Sequence, residues 1–367
     1  MDKVKLAIVG TGGGAKIMYG SILRLLEFGQ PVAYVDQNPK AIEGMQAIFP
    51  VEETYSDFSD FLARSDAQAV ILCTPVFEHT EQTRLAARAG KHVLCEKPMA
   101  RTIEECQQMI DDCSEHGVKL MVGHMKRFDK SVRYAKRMVD EGELGSVYQM
   151  VVDWSWYVPP TSRGWRDELR TFGGLGQDIG AHTFDLSRWW LGDITEVSGE
   201  ISMVRDVGHV EDKAIYLARH RNGGISVHVI GASNRPFKES YLIEGTRGSL
   251  HLENSGPHHN FMSPEPFRIT LHREGKHTED VSIYNDWVLE RELKQHHRYK
   301  VEIDHFCECI LKDEQPLVSG EDGLRAVEAV NAAYLSSWGR QKVSLPLESS
   351  PDLERVFQDL YEARHRG

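Results

Sequence analysis

Gly10-Thr11-Gly12-Gly13-Gly14-Ala15 decides how the rest of the chain is read. The apolar run Lys5–Gly10 leads into it, and Ile17, Leu23, Leu25 and Leu26 follow at helical spacing over Ala15–Glu27. Strand, glycine loop and helix form the context in which G-x-G-x-x-A is a dinucleotide-binding fingerprint. Gly10 permits the tight turn, Gly12 lets backbone approach a pyrophosphate, and Ala15 is small enough for close helix–strand packing. Gly13 and Gly14 complete the cofactor-binding loop, and the helix N-terminus that follows offers N–H groups and its dipole to phosphates.

The second apolar run, Val32–Val35, ends at Asp36, 26 residues beyond Gly10. A carboxylate there accepts hydrogen bonds from ribose hydroxyls and repels a 2′-phosphate. Gln37, Asn38, Pro39 and Lys40 follow, with no arginine, which favours NAD over NADP. The competing reading makes Asp36 a turn residue ahead of Asn38-Pro39.

Further short apolar runs, Ala69–Thr74, His92–Cys95 and Leu120–Gly123, alternate with helical stretches near Glu78–Ala89 and Thr102–His116. This is the pattern of a doubly wound parallel sheet covered on both faces. It predicts an NAD-binding α/β domain over residues 1–125. After about residue 145 the runs lengthen: Val147–Tyr157, Val197–Val204, Ala214–His220, Ile225–Ala232, Tyr241–Glu244, Ser249–Leu252 and Arg268–His272. Together with helices near Gly176–Leu191, Val301–Lys312 and Gly320–Arg340 they predict an α+β domain over 126–367, built on a large, mostly antiparallel open sheet. Its C-terminal helices are placed either there or back on the first domain. Gly256–Pro266 reads as a loop.

The length, 367 residues, suits two domains. A net charge of −12 disfavours nucleic acid and anionic membrane as partners. No charge-free run reaches the roughly 18 residues of a membrane span, and the N-terminus does not read as a signal peptide. The six cysteines form no disulfide framework and include no C-x-x-C pair; Cys73 and Cys95, in apolar strand-like runs, read as reduced core thiols, which suits a cytoplasmic protein. No metal is expected: Asp178-x-x-x-His182 lacks a third ligand at motif spacing, and His258-His259 and His296-His297 read as loop or helix-surface residues.

Several motifs then coincide. Cys73-Thr74-Pro75 precedes His79, and Cys95-Glu96-Lys97-Pro98 ends the fifth strand. Gly123-His124-Met125-Lys126-Arg127-Phe128 follows, and Gly173-Gly174 leads into Asp178-Ile179-Gly180-Ala181-His182. With Ile243-Glu244-Gly245-Thr246-Arg247-Gly248-Ser249, these make the chain resemble the Gfo/Idh/MocA oxidoreductases over nearly its whole length. The resemblance implies that Lys97 reaches a substrate hydroxyl, faced by Asp178 and His182. It implies that Thr74, Pro75, His79, Glu96, Lys97 and Arg127 line the cofactor, and that the Lys97–Pro98 bond is cis. It also implies pairing of open sheet faces into a homodimer or homotetramer. One departure is Gly174-Leu175-Gly176-Gln177, where many members carry a third consecutive glycine and apolar residues.

The chemistry suits those residues. Oxidation of a secondary alcohol needs a hydride acceptor and a general base. His182 titrates near neutrality without perturbation, and Asp178, four residues earlier on the same helical face, orients and supports its imidazolium. Lys97 beside an oxidised nicotinamide shares the hydroxyl proton or polarises the product carbonyl. The function expected is therefore hydride transfer from a sugar, cyclitol or related polyol to NAD. The alternatives are a redox-neutral NAD-dependent glycosidase or lyase, and a non-catalytic NAD-binding sensor. Trp154 and Trp156 share one strand face and suit either stacking on a sugar or sheet packing. Arg163, Trp165, Arg166 and Arg170 offer a clasp for an anionic substrate group or belong to a solvated loop.

Overall fold

The computed structural model describes residues 2–157, 167–205, 208–233, 236–255, 267–282 and 297–365. Two compact units divide the chain. The first comprises Met1–Ala100, Glu104–Asp129 and Val288–Leu324; the second comprises Arg101–Ile103, Lys130–Trp287 and Arg325–Gly367.

In the first unit six parallel strands, β1 (Val4–Val9), β2 (Gly29–Val35), β3 (Glu53–Tyr55), β4 (Ala69–Leu72), β5 (His92–Glu96) and β6 (Leu120–Gly123), lie in the order β3-β2-β1-β4-β5-β6. This is the doubly wound dinucleotide-binding order, with its switch point between β1 and β4. Every residue of β4 and nearly every residue of β1 is buried, as continuous apolar strands require in a sheet covered on both faces. Asn38 caps the helix Pro39–Gln46, its side chain accepting from the Lys40 amide at 3.1 Å with proline at the first helical position. Asp57 caps Phe58–Arg64 in the same way.

The helix expected over Ala15–Glu27 is shorter. It runs Gly13–Tyr19, stops at Gly20, and gives way to a single turn at Leu23–Leu25. Glycine costs about 1 kcal/mol relative to alanine within a helix. Beyond it, the Glu27 and Phe28 amides donate to Asp304 Oδ1 at 2.9 and 3.0 Å instead of to helical carbonyls. Asp304 belongs to the helix Arg298–Lys312 of the same unit.

In the second unit nine strands form one sheet: β7 (Val147–Tyr157), β8 (Ile194–Ser202), β9 (Lys213–His220), β10 (Ile225–Ser233), β11 (Lys238–Gly245), β12 (Gly248–Ser255), β13 (Arg268–Arg273), β14 (Glu279–Asp280) and β15 (Val343–Ser344). Their order is β14-β13-β12-β11-β7-β10-β9-β8-β15. Pairing is antiparallel except between β7 and β10. The helix Leu175–Leu191 lies on β7, β9 and β10, and buries Leu175, Ile179, Phe184, Leu186 and Trp190. The other face of the sheet is less covered. Ile215 there is 49% exposed and Leu217 37%, and their neighbours Val227, Val229, Val151 and Leu242 are half-buried. The loop expected at Gly256–Pro266 lies outside the described residues. Among the described residues no helix is long and apolar enough to cross a membrane, and no cluster of side chains suits a metal ion. All six cysteines are free, five of them buried.

Candidate functional site

The site residues fall into two sets, one in each unit. In the first, β1 delivers the chain into the glycine loop. Gly10 has φ +85°, and a Cβ there would stand 2.8 Å from the Cys73 carbonyl carbon and the Thr74 nitrogen. Only glycine turns the chain that close to the end of β4. Gly12 and Gly13 are the opposite case: nothing lies within 4 Å of where their Cβ would be. The helix Gly13–Tyr19 has no side-chain cap and no acidic residue in its first turn, which leaves its N–H groups for an anion. Ala15 is buried. Asp36 ends β2 and ties the loop down: its Oδ2 accepts from the Thr11 amide at 2.7 Å and the Thr11 hydroxyl at 3.2 Å, while Oδ1 accepts from the Asn38 amide at 2.8 Å. Each carboxylate oxygen has two lone pairs, so this tie leaves Oδ1 with capacity for one ribose hydroxyl. The residues present fit a dinucleotide: a bare loop, an uncapped helix start and a carboxylate at the end of β2.

Thr74 and Pro75 form the turn after β4, and the Thr74 hydroxyl donates to Gln82 Oε1 at 2.6 Å. His79 braces that turn against the one after β5. Its Nε2 lies 2.9 Å from the Thr74 carbonyl oxygen, and its Nδ1 lies 3.1 and 3.2 Å from those of Pro98 and Met99. Two nitrogens facing carbonyls would suit an imidazolium, but burial outweighs them and lowers the His79 pKa. Arg127 is 3% exposed and donates to the Leu317 carbonyl at 3.3 Å and to Asp322 at 3.1 Å; these contacts join the segment after β6 to the start of the helix Gly320–Gly339. Glu96 is buried at the end of β5 and accepts from the Tyr19 phenol and, through Oε2, from the Lys97 amide at 3.2 Å. The Lys97–Pro98 peptide is cis, and Lys97 itself is half-buried.

In the second unit Asp178 and His182 stand four residues apart on Leu175–Leu191. Asp178 is half-buried; His182 is 0% exposed and stacks on Trp154, ring centroids 5.6 Å apart and planes 22° apart. Trp154 is therefore buried beneath the histidine. Trp156, on the same strand face, is half-buried beside Phe237. Arg163, Trp165 and Arg166 lie outside the described residues; Arg170 pairs with Glu168 at 2.5 Å.

One residue that sequence reading missed organises this helix. Glu211, 1% exposed, accepts from the Gly174 amide at 2.8 Å through Oε2, and from the Gln177 amide at 3.1 Å and the Tyr334 phenol at 2.7 Å through Oε1. Its carbonyl accepts from the Leu175 amide at 3.1 Å. A single residue thus caps the N-terminus that carries Asp178 and His182. Gly174 is obligatory for this approach, since a Cβ there would be 1.9 Å from the Glu211 carbonyl oxygen. Burial pushes the Glu211 carboxyl up to about 7 against the opposing pull of its donors. Gln177, the polar departure from the expected pattern, is buried, and its backbone is one of the capped amides. The acidic pair Glu211-Asp212 just before β9 was the available signal; nothing local links it to residues 174–177. Asp212 holds a second buried group, accepting from Arg205 Nε at 2.8 Å, while that guanidinium also reaches Asp167 at 3.3 Å.

Residues 4–124 match the Gfo/Idh/MocA oxidoreductase family, NAD-binding Rossmann fold, and residues 136–345 match its C-terminal alpha/beta domain. An uncharacterized oxidoreductase, YrbE, of Bacillus subtilis is 28% identical over 342 residues, spanning 91% of this chain and 94% of the relative. Myo-inositol 2-dehydrogenase of Thermotoga maritima is 25% identical over 350 residues, spanning 93% and 98%. The crystal structure of aldose-aldose oxidoreductase from Caulobacter crescentus, complexed with glycerol, superposes with a TM-score of 0.81 at 27% identity, covering 94% of this chain and 100% of that one.

Proposed function

The chain belongs to the Gfo/Idh/MocA oxidoreductases, with an NAD-binding Rossmann domain, and from that premise we propose an NAD-dependent dehydrogenase that oxidises a secondary alcohol of a sugar, cyclitol or related polyol. The supporting observation is the helix Leu175–Leu191: a carboxylate and a histidine share one face, and the histidine is packed against Trp154. The polyol class is supported by the names of the inositol and aldose relatives.

Bound NAD would supply the hydride acceptor. His182 takes the hydroxyl proton as general base, and Asp178 orients the ring and stabilises its charged form. Lys97 donates a hydrogen bond to the same oxygen and favours its alkoxide character. Gly10, Gly12, Gly13, Gly14 and Ala15 hold the pyrophosphate, and Asp36 holds the adenosine ribose and disfavours a 2′-phosphate, so NAD is preferred to NADP. His79 and Arg127 act by fixing the turns around the cofactor. The free thiols suit a cytoplasmic setting. The half-exposed apolar stripe of Ile215, Leu217, Val227 and Val229 suits pairing of sheet faces in a homodimer or homotetramer.

The test is a screen of sugars, inositols and uronates for NADH formation by the purified protein. NADH production with at least one polyol is expected. Turnover of a glycoside without net NADH would replace this reading with the redox-neutral one, and NAD binding without turnover of any polyol would replace it with the sensor.

A further inference from the structure

The first four amides of a helix find no carbonyl within it. At the start of Leu175–Leu191 three of them, on Gly174, Leu175 and Gln177, go to one residue outside the helix: to Glu211 Oε2 at 2.8 Å, to its carbonyl oxygen at 3.1 Å and to Oε1 at 3.1 Å. Glu211 is in turn fixed to the sheet through its neighbour. Asp212 donates its amide to the Ser202 carbonyl at the end of β8 at 3.1 Å, and its own carbonyl accepts from the Ala232 amide of β10 at 2.6 Å. The Asp212 carboxylate is paired with Arg205 at 2.8 Å. The sheet thus holds the helix by its N-terminus.

Two short paths lead from the Glu211 carboxyl to Asp178. Gly174 gives its N–H to Oε2 and accepts the Asp178 N–H on its carbonyl at 2.9 Å. Gln177 gives its N–H to Oε1 and is the residue before Asp178. His182 follows one turn later on the same helix. Three donors, the Gly174 and Gln177 amides and the Tyr334 phenol, converge on this one carboxyl. A carboxylate accepts all three; a carboxylic acid brings a hydrogen of its own, and one donor has to give way. The titratable groups facing it are the phenols of Tyr334 and of Tyr216 on β9, whose oxygen lies with Glu211 Oε1 where a Gly176 Cβ would be. Burial pushes both phenols up, so they stay neutral. Burial also holds the Glu211 carboxyl at about 7, and both of its forms are populated around neutrality.

We propose that Glu211 is a positioning residue for the alcohol oxidation: as a carboxylate it aligns Asp178 and His182 for proton abstraction, acting through Gly174 and Gln177, and on taking up a proton it releases a donor and lets that alignment go. The proposal rests on the reading of Asp178 and His182 as the pair that takes the hydroxyl proton. The form that aligns the helix is the one that burial disfavours, which sets function against stability at this residue. A displacement of about 1 Å in a reacting group costs up to about 10²-fold in rate, so a small relaxation of the helix start is enough to be read in turnover.

Two measurements on the full-length protein test this. In protein labelled with 15N-glycine, the Gly174 amide resonance should titrate at about pH 7 in the wild type and stay fixed in Glu211→Gln; a wild-type resonance that does not move across neutrality overturns the proposal. The second is the pH dependence of kcat at saturating polyol. The wild type should fall on the acid side with a limiting slope of two, one proton for Glu211 and one for His182. Glu211→Gln should lower the plateau kcat by about 10–100-fold with little change in KM, and leave a slope of one. A substitution that only loosened the fold would keep the shape of the profile, so an unchanged slope or plateau in Glu211→Gln overturns the proposal. Glu211→Asp keeps the charge but is one methylene short of the donors; it should fall between the two with the slope of two retained, and wild-type kcat there overturns the proposal even if the glutamine variant does not fold. If Gly174 titrates but no polyol is turned over, the dehydrogenase reading has failed and the positioning role falls with it. Turnover with an unmoved Gly174 resonance strikes the positioning role alone.

Discussion

Replacing Glu211 by glutamine probes the helix that carries Asp178 and His182. The wild-type carboxyl is held at about 7 in the folded protein against an ordinary 4.5. Between those values the folded chain keeps a proton that the unfolded chain has lost, so stability falls as pH rises through that window and levels off above about 7. The difference corresponds to about 3 kcal/mol. Glutamine cannot titrate, and this slope disappears with it. Glutamine also turns an NH₂ toward either the Gly174 or the Gln177 amide, both of which donate to Glu211. That donor–donor contact costs about 1–3 kcal/mol at every pH. The variant should therefore be less stable at low pH, and the gap should narrow by about 3 kcal/mol between pH 5 and pH 8. Urea unfolding followed by tryptophan fluorescence measures it where it matters, because all seven tryptophans belong to the second unit. Groups that titrate alike in both proteins cancel in the difference. Two stability curves that run parallel across this range would refute the argument.

Three further outcomes are expected. Asp36→Ala removes the acceptor for the Thr11 amide and hydroxyl and should weaken NAD binding by about 10–100-fold, the worth of one or two charge-assisted hydrogen bonds, while NADP binding changes less; an unchanged NAD/NADP ratio in nucleotide titrations would contradict this. Lys97→Ala and His182→Ala should each lower kcat by about 10²–10⁴-fold with little change in NAD affinity, and the double variant should lose less than the product; near-wild-type kcat in a single variant removes that residue from the mechanism. Ile215→Lys with Leu217→Lys should convert the proposed oligomer to monomer by light scattering, and a monomeric wild type would remove the assembly proposal.

Legibility in the sequence followed the range of the interactions concerned. Val147–Tyr157 is a strand over the very residues its pattern marks, because a half-buried strand writes its own alternation. Gly10 was legible because the turn it permits is local. The early end of the helix after Gly13 was not, since the acceptor for Glu27 and Phe28 lies 277 residues from Glu27. Glu211 was hidden for the same reason: its three donors come from residues 174, 177 and 334. Trp154 and Trp156 were correctly assigned to one face, but alternation could not tell that His182 covers the first of them.

The first unit is written in separated stretches of the chain, and that has a consequence for synthesis. A ribosome that has completed Asp129 has made all six strands of the parallel sheet, yet the nascent chain still lacks Asp304 for the Glu27 and Phe28 amides. It also lacks Tyr299 against Tyr19 and the partner Leu317 offers Arg127. The nucleotide-binding half is thus begun first and completed late, after the second unit's sheet has largely been translated. A fragment ending near residue 129 would have buried donors with no acceptors, and joining it to the missing helix in trans would be the way to recover them.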